Sequence, residues 1–372
     1  MDAGGVTPEA APVTEGRIWR FGIVGTGAMA ATMMECLSGI RRVSTIAVAS
    51  ADPARAREFA KRHGIPHACH DLGELLARTD VDAVYVATST REHAAHSIAA
   101  LNAGKAVLCE KPFAMTVQQG RLVADAARSN QRLFVEAQWT TALPAYRELL
   151  RLARDSSLGS PVALHSEFGL ALAPASHPRL FEGEGAGVLL DFAVYPIVLA
   201  VQLLGQVTTV HAALRRNPSG TDIHASLLLG HANGGHSLLA ASLVAALSNR
   251  TTLSCTHGNV ELDSPVMGAE SLRRRVAAPL VAGPRGAGGA KHRLISTLRQ
   301  HRWLRRLRAS LSRGESIDLP FGANRYGPQV DHFVSLLDAG ALTSPLMPLE
   351  TSLEVLRIVE EARRTQDPAI TP

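Results

Sequence analysis

The sequence contains few cysteines and few aromatic residues, and it has no long hydrophobic run. Its four cysteines lie far apart and form no C-x-x-C pair, which argues against a disulfide scaffold or a cysteine zinc site and favours the reducing cytoplasm. No apolar stretch reaches the roughly 20 residues that a membrane-spanning helix needs. Residues 1–17 lack the basic and apolar regions of a signal peptide, and we expect them to form a disordered tail.

Acidic residues are missing from one long stretch. Ser271–Arg313 holds 12 Lys and Arg and no Asp or Glu, and subtracting these 12 charges from the net charge of +5 leaves −7 for the remaining chain. The basic character therefore belongs to one segment and does not indicate a nucleic-acid partner. A leucine repeat among the arginines of residues 294–311 predicts an amphipathic basic helix on a surface excursion. An anionic substrate, an acidic partner and an anionic membrane surface are alternative roles for this segment.

The remaining composition is that of a globular protein. The chain has 372 residues, of which 46% are apolar and 19% charged, enough for about two domains. Up to residue 138, apolar runs alternate with helical segments, which predicts an α/β fold with a parallel sheet covered on both faces. The second half shows strand signals separated by turns, and a single long helix is predicted over Gly187–Leu204. The predicted strands are Trp19–Gly25, Thr45–Ser50, Ala83–Thr88, Ala106–Cys109, Leu133–Gln138, Val162–Phe168, Val207–Leu214, Ile223–Leu229, Ser237–Val244, Thr251–Cys255 and Val260–Leu262.

The first predicted strand runs into a glycine-rich turn with the pattern G-x-G-x-x-A. In a dinucleotide fold, the first glycine permits the tight turn, the second lets the pyrophosphate approach the backbone, and the third small residue lets the helix pack on the strand. The free N–H groups of the following helix would bind the phosphates. The sequence therefore predicts a site for NAD or NADP, with contacts from Gly25, Thr26, Gly27, Ala28, Met29 and Ala30.

The end of the second predicted strand bears on the choice of cofactor. NAD enzymes often carry Asp or Glu there, to bind the ribose hydroxyls, and this chain has Ser50. Ser50 would not repel the 2′-phosphate of NADP, and Arg55 could bind it, so NADP is favoured over NAD. Asp52 could contact the ribose instead, but it is equally suited to cap the helix that Pro53 opens.

Several further motifs carry a resemblance to a known family. A predicted strand ends in Glu110-Lys111-Pro112, and the chain later contains Val135-Glu-Ala-Gln-Trp-Thr140, Arg179-Leu-Phe181 and Leu189-Leu-Asp191-Phe-Ala-Val-Tyr195-Pro196. Together with the glycine-rich turn, these stretches resemble the Gfo/Idh/MocA oxidoreductases. Within that family they are similar to the branch of NADP-dependent D-xylose 1-dehydrogenases and trans-1,2-dihydrobenzene-1,2-diol dehydrogenases. The resemblance covers roughly residues 18–263 and 324–364.

The resemblance implies a domain organisation and a reaction. It implies a Rossmann domain over residues 18–138 and a C-terminal helix and tail over 346–372. Residues 139–345 would form a substrate and oligomerisation α/β domain with an open, mostly antiparallel sheet, carrying the basic insert 271–313. It also implies a homo-oligomer formed through that sheet, and a dehydrogenase that moves a hydride between the cofactor and a sugar, cyclic polyol or diol.

The resemblance places Lys111, Asp191 and Tyr195 in the cleft beside the nicotinamide. On the predicted long helix, Asp191 and Tyr195 lie four residues apart and share a face, and Pro196 would perturb the helix just after Tyr195. Tyr195 would accept the proton of the substrate hydroxyl, with its pKa brought toward neutral pH by Lys111, while Asp191 holds Lys111 or the substrate. The reverse assignment, with Lys111 as acid/base and Tyr195 orienting the substrate, stays open.

Other positions match the family's cofactor and substrate contacts. The resemblance implies that Thr88, Ser89 and His93 lie beside the nicotinamide ribose, that Glu110 contacts the cofactor or fixes the Lys111 loop, and that Trp139 walls the substrate pocket.

One departure from the branch concerns the substrate. Thr141-Ala142 stand where the branch usually has Arg-Phe, which predicts a pocket wall without that cation and that aromatic ring. Neither xylose nor a dihydrodiol is therefore carried over as the substrate.

Two alternatives complete the sequence-based interpretation. His63, His67 and His70 are close in sequence, but Gly64 and Pro66 break any helix that would align them, so no metal site is predicted. A non-catalytic member of the same fold, acting as a cofactor-binding regulator or partner-binding protein, is the alternative to an enzyme. The complete set of three reactive side chains favours the enzyme.

Overall fold

The computed structural model describes residues 16–277 and 314–365, which form two sheets with helices packed around them. Most of the expected tail and the expected basic helix over residues 294–311 lie outside the described residues. No helix in the described ranges is both long and apolar enough to cross a membrane.

The first sheet has six parallel strands in the order β3-β2-β1-β4-β5-β6. Its strands are β1 Trp19–Val24, β2 Val43–Ala49, β3 His67–Cys69, β4 Ala83–Val86, β5 Ala106–Glu110 and β6 Phe134–Ala137. The connecting helices are α1 Ala28–Leu37, α2 Pro53–His63, α3 Leu72–Ala77, α4 Thr90–Asn102 and α5 Val117–Ser129. Every residue of β4, β5 and β6 is buried, as expected for a parallel sheet covered on both faces. The strand order reverses between β1 and β4, where doubly wound sheets bind their ligands.

The second sheet has eight strands in the order β14-β13-β12-β11-β7-β10-β9-β8, and all neighbours are antiparallel except β7 and β10. The strands are β7 Pro161–Gly169, β8 Val207–Arg216, β9 Asp222–His231, β10 His236–Ser242, β11 Thr251–Cys255, β12 Gly258–Leu262, β13 Ser271–Val276 and β14 Glu315–Asp318. The helices of this half are α6 Pro144–Leu152, α7 Pro178–Phe181, α8 Val188–Asp191, α9 Val194–Leu204, α10 Gly327–Asp338 and α11 Leu349–Arg364. Short 3-10 turns lie at Trp139–Ala142, Ser156–Leu158 and Pro174–Ser176. The predicted α/β fold, a parallel sheet followed by a mostly antiparallel one, is confirmed.

The predicted long helix over Gly187–Leu204 is wrong. The structure divides it into α8 and α9, and the N–H of Ala193 donates to the oxygen of Val188 at 2.8 Å instead of continuing the α-helical pattern. Pro196 lies in the first turn of α9, where its missing N–H costs no helical hydrogen bond. The proline thus fits the start of the second helix, and the break comes before Tyr195 rather than after it.

The start of the basic segment is also not an excursion. Residues 271–276 form β13, which pairs with β12 and β14 inside the sheet. Arg273 lies 3.8 Å from Glu261 and from Asp263, and Arg274 lies 3.2 Å from Asp155. Acids distant in sequence therefore neutralise these cations. Residues 278–313 lie outside the described part of the chain.

The last two helices return to the first domain. The aromatic rings of Phe21 in β1 and Phe333 in α10 are 5.9 Å apart, and both side chains are buried. The indole of Trp19 donates to Asp338 at the end of α10, at 2.9 Å. In α11, a carboxylate oxygen of Glu360 accepts from the N–H of Val117, which begins α5. The C-terminal helices therefore complete the core beneath the first sheet.

Candidate active site

A cleft of about 1220 Å³ lies between the carboxyl ends of the first sheet and the α7–α9 region. It is lined by nearly every residue singled out from the sequence: Gly25, Thr26, Gly27, Ala28, Met29, Ser50, Arg55, Thr88, Ser89, His93, Glu110, Lys111, Trp139, Asp191 and Tyr195. The exception is Ala30, a fully buried residue of α1, whose small side chain lets the helix pack on the strand. The structure therefore brings the expected nucleotide contacts and the expected reactive groups to one cavity.

The glycine-rich turn is shaped for a dinucleotide. Gly25 has φ +108°, and a Cβ there would collide with the carbonyl oxygen of Ala87, so only glycine fits the turn. A Cβ on Gly27 would instead point into open space at the start of α1. No side chain of the described residues caps this helix and its first turn holds no acid, which leaves its N–H groups available to bind phosphate. The residues present thus fit the pyrophosphate of NAD or NADP.

The residues after β2 divide into two groups. Ser50 lines the cleft and accepts a 3.4 Å hydrogen bond from the hydroxyl of Thr26. Asp52 is the N-cap of α2, because its carboxylate accepts from the N–H groups of Ala54 and Arg55. Asp52 does not line the cleft, whereas the Arg55 side chain belongs to its wall. Of the two roles considered for Asp52, the structure shows the helix cap.

His93 occupies a structural position behind the loop that follows β4. One ring nitrogen lies 2.8 Å from the carbonyl oxygen of Pro112 and the other 3.2 Å from that of Thr88. Burial lowers the pKa of His93, which keeps the ring neutral at pH 7. The hydroxyl of Thr88 contacts His96 at 3.0 Å, and Ser89 opens α4 in a capping box with Glu92. These contacts fix the loop that walls the cleft.

Glu110, the last residue of β5, is buried and bonded to protein groups. One carboxylate oxygen accepts a 2.5 Å hydrogen bond from the hydroxyl of Tyr85, and the other accepts from the N–H of Lys111. Burial raises the pKa of Glu110. Its contacts support the second of its two expected roles, fixing the Lys111 loop.

Lys111 and Asp191 form an ion pair inside the cleft. The ammonium Nζ lies 2.5 Å from Oδ1 of Asp191 and also donates to the Asp191 carbonyl oxygen at 2.8 Å. Burial alone would lower the pKa of Lys111, but Asp191 and the nearby Tyr195 raise it above its ordinary value. Lys111 is therefore a cation at every pH at which the protein is expected to work, and this charge state disfavours a role as base.

Tyr195, near the start of α9, is largely buried in the same corner. Its hydroxyl accepts from the indole N–H of Trp139 at 3.3 Å, and Nζ of Lys111 lies 5.0 Å from its ring centroid. Burial raises the pKa of Tyr195 to about 12, although Lys111 lowers it. Lys111 thus acts on the pKa of Tyr195 in the expected direction, but burial outweighs a cation already paired with Asp191, and the net pKa does not move toward neutral pH.

Trp139 forms a wall of the cleft with residues that the sequence analysis missed. Its ring lies 5.1 Å from that of Tyr326, and the guanidinium of Arg325 lies over both rings. The resemblance over residues 324–364 gave no sign that this segment reaches the cleft. Thr141 and Ala142 are buried and do not line the cleft, so the structure does not place them on the pocket wall.

The three histidines near α2 lie in different elements, with His63 at the end of α2, His67 in β3 and His70 after it. His67 is exposed on β3, and His70 lines the cleft. Within residues 16–277 and 314–365, no three His, Cys, Asp or Glu side chains are arranged to hold a metal ion.

Two family models match the chain. The NAD-binding Rossmann domain of the Gfo/Idh/MocA oxidoreductases matches residues 19–138, and the C-terminal domain of the same family matches residues 146–261. The trans-1,2-dihydrobenzene-1,2-diol dehydrogenase of Bos taurus is 33% identical over 66% of this chain and 74% of its own length. The same enzyme of Homo sapiens is 32% identical over 66% of this chain and 75% of its own length.

This chain belongs to the Gfo/Idh/MocA family. It is an oxidoreductase with an NAD-binding Rossmann fold and dehydrogenase relatives, and the resemblance inferred from its motifs is confirmed.

Two solved structures share the fold of this chain. A 3-ketoreductase from Actinomadura kijaniata, in complex with NADP and TDP-benzene, has a TM-score of 0.74 at 23% identity, over 93% of this chain and 97% of that protein. A levoglucosan dehydrogenase, in complex with NADH and levoglucosan, has a TM-score of 0.75 at 20% identity, over 92% of this chain and 97% of that protein. The neighbours thus hold either nicotinamide cofactor, which agrees with the predicted NAD or NADP site of this Gfo/Idh/MocA oxidoreductase.

Proposed function

We propose that this oxidoreductase is an NADP-linked dehydrogenase that interconverts a hydroxyl and a carbonyl group on a sugar, cyclic polyol or diol. The observation that carries the proposal is the convergence of Lys111, Asp191 and Tyr195 in the cleft that also holds the glycine-rich turn. A protein that only binds the cofactor has no need of an ion pair and a phenol together at this place.

Tyr195 is the proposed proton donor and acceptor. When bound, the nicotinamide supplies the hydride donor or acceptor. Because the pKa of Tyr195 is about 12, its phenol keeps its proton at neutral pH and can give it to a substrate carbonyl oxygen. In the oxidation direction, the same oxygen must first lose that proton, which alkaline pH favours. The site is therefore better suited to carbonyl reduction at neutral pH.

In the proposed mechanism, Lys111 stabilises negative charge on the substrate oxygen, and Asp191 holds Lys111 in position. A lysine ammonium has three N–H donors, and two of those on Lys111 donate to oxygens of Asp191. One remains for the substrate oxygen, where the positive charge would stabilise a developing alkoxide. Asp191 keeps the ammonium charged and aimed into the cleft. Of the two assignments that the sequence left open, these protonation states favour Tyr195 as the acid/base.

The preference for NADP rests on the residues after β2. Ser50 carries no charge, Asp52 is engaged as a helix cap, and Arg55 lines the cleft. A 2′-phosphate would meet a cation there and no free carboxylate.

Among the relatives, the dihydrobenzenediol dehydrogenases and the levoglucosan dehydrogenase support a diol or sugar as substrate. The unpaired cysteines support a reducing compartment, the cytoplasm.

A turnover panel tests the proposal. Aldoses, inositols and cyclic diols are offered with NADP, and the corresponding ketones and lactones with NADPH, while absorbance at the nicotinamide band is followed. We expect turnover of at least one member, and loss of it in Lys111→Ala. Tight NADP binding without turnover of any member would favour the alternative, a non-catalytic cofactor-binding regulator.

We also propose that the open face of the second sheet binds a second copy of this chain. Leu228 and Leu238 pair across β9 and β10 on that face, and Leu238 is 54% exposed. The helices α8 and α9 contact the sheet from the other side, where the alternating strand residues are buried. Within the described residues, no helix covers the face that carries the two leucines.

Light scattering tests this oligomer. The Leu238→Arg variant should shift the protein toward the monomer mass, because a charge would be buried without a partner. Leu122→Arg is the matched control, since Leu122 is also 54% exposed but lies on α5. A wild-type monomer, or equal behaviour of the two variants, would contradict the proposal.

A further inference from the structure

The cleft wall near Tyr195 contains one arginine that the proposed mechanism does not use. Arg325 lies between β14 and α10, and its guanidinium carbon is 5.2 Å from the ring centroids of both Trp139 and Tyr326. Trp139 donates its indole N–H to the hydroxyl of Tyr195. A single indole side chain thus links Arg325 to the proposed proton donor, and Arg325 itself lines the cleft.

The charge of Arg325 is uncompensated in the described part of the chain. Its side chain forms no ion pair or hydrogen bond with residues 16–277 or 314–365. Lys111, another cation that lines the cleft, is already paired with Asp191. Glu110 is engaged with Tyr85. A negatively charged group on a substrate that lies against the Trp139 and Tyr326 wall would therefore meet an unpaired cation at Arg325.

The two aromatic rings leave Arg325 suited to bind an anion. A guanidinium that lies over ring faces is held by cation–π contact, and its N–H donors point outward in its own plane. These donors match the two oxygens of a carboxylate or a phosphate, and such charge-assisted pairs are stronger than neutral hydrogen bonds. Trp139 and Tyr326 are both buried, so the platform beneath the charge is fixed.

We propose that Arg325 is a specificity-determining residue that binds an oxyanion group, a carboxylate or a phosphate, on the substrate of this dehydrogenase. The inference rests on the proposed function. It also supplies a cation to a pocket wall that was expected to lack the branch's arginine, because Thr141-Ala142 stand at those positions. The cation comes from a segment about 180 residues further along the chain.

A binding series on one sugar ring tests the proposal. D-Glucose, D-glucuronate and D-glucose 6-phosphate are titrated by calorimetry into the wild-type protein saturated with NADP. We expect at least one anionic probe to bind about tenfold or more tightly than glucose, the lower range for hydrogen bonds to charged groups. The better of the two anions identifies carboxylate or phosphate as the preferred group.

Three variants test whether Arg325 causes the tighter binding of the anionic probe. Arg325→Gln should bring the anionic probe to the affinity of glucose, and Arg325→Lys should retain part of the preference. Arg121→Gln, on the exposed face of α5 and outside the cleft, should bind all three probes as the wild type does.

Equal binding of the three probes by the wild type, including no measurable binding of any, would overturn the proposal. So would a preference that survives in Arg325→Gln. The measurement requires no turnover, so a protein that discriminates the probes but oxidises neither a panel member nor an anionic probe would refute the dehydrogenase and keep the anion site.

Discussion

The two halves of the cleft are formed by different kinds of chemical group, drawn from different parts of the chain. The nucleotide half consists of backbone and small side chains in loops that directly follow parallel strands, such as Gly25 after β1, Ser50 after β2 and Thr88 after β4. The reaction half consists of large side chains from distant segments. Lys111 and Tyr195 are 84 positions apart in sequence, and Tyr326 comes from near the C-terminus.

Because of this difference, substitutions in the two halves should affect different properties of the enzyme. A change in the nucleotide half alters backbone shape or local charge, so it should act on cofactor affinity. A change in the reaction half removes a charge or a proton carrier, so it should act on the rate while the cofactor still binds. The variants below test this division, from the largest expected effect to the smallest.

The Lys111→Ala variant should lower kcat by at least about a hundredfold, the lower range for loss of a group that acts on the transition state. The reason is that the cation beside the substrate oxygen disappears and Asp191 is left unpaired. The measurement is steady-state turnover on the panel substrate, with Lys61→Ala on the exposed face of α2 as the control. Turnover within a few fold of wild type would remove Lys111 from the mechanism.

The Tyr195→Phe variant should lower kcat by about a hundredfold and change the pH profile. With a pKa of about 12, the phenolate fraction of the wild type rises roughly tenfold for each pH unit through the alkaline range, so its oxidation rate should rise with pH. The variant should lack that rise, and its affinity for NADP should change far less than its rate.

The control for this variant is Tyr146→Phe, which removes a buried hydroxyl that is not bonded within the described residues. It should keep the wild-type profile. An unchanged alkaline rise in Tyr195→Phe would show that another group carries the proton.

A pair of glycine variants separates turn geometry from cofactor contact. Gly25→Ala places a Cβ against the Ala87 carbonyl at φ +108°, so both thermal stability and NADP affinity should fall, the affinity by about tenfold. Gly27→Ala places its Cβ in open space, so it should weaken NADP binding to a similar degree without lowering Tm. Unchanged NADP affinity in Gly27→Ala would contradict the assignment of Gly27 to the pyrophosphate.

The Ser50→Asp variant should show the smallest effect, a shift of about tenfold in relative affinity from NADP toward NAD. A carboxylate there repels the 2′-phosphate and can bond the ribose hydroxyls. Fluorescence titration of both cofactors measures the shift, with Ser44→Asp on the exposed side of β2 as the control. Tighter NAD binding by the wild type would refute the NADP preference itself.

The same division explains what could be predicted from the sequence. The nucleotide half follows short-range patterns, because each loop adjoins the strand that positions it, and the strand periodicity and the glycine spacing located those loops. The sequence analysis missed β3, which has three residues, and α3, which has six, because such short segments do not show a recognisable hydrophobic repeat. Their connection nevertheless brings His70 and Asp71 to the cleft.

The residues of the reaction half could be found only from the family motifs. Their pKa values and their contacts could be known only from the structure. Nothing in the spacing of Asp191 and Tyr195 revealed the break at residues 192–193, where a tertiary arrangement replaces one regular helix by two. The pKa of Tyr195 depends on how deeply α9 is buried, which no local pattern reports. The position of Arg325 over Trp139 joins residues 186 positions apart, a contact made only by the completed fold.

The contact between β1 and α10 has a consequence for the synthesis of the protein. Chains generally fold from the N-terminus as they leave the ribosome. Here Phe21, in the first strand to emerge, packs against Phe333, which is translated more than 300 residues later. Until α10 has been synthesised, the apolar surface around Phe21 in the nascent cofactor domain therefore stays uncovered. A stop codon before residue 327 would leave every cofactor-contacting loop encoded, yet would yield a product that chaperones and proteases recognise as unfinished.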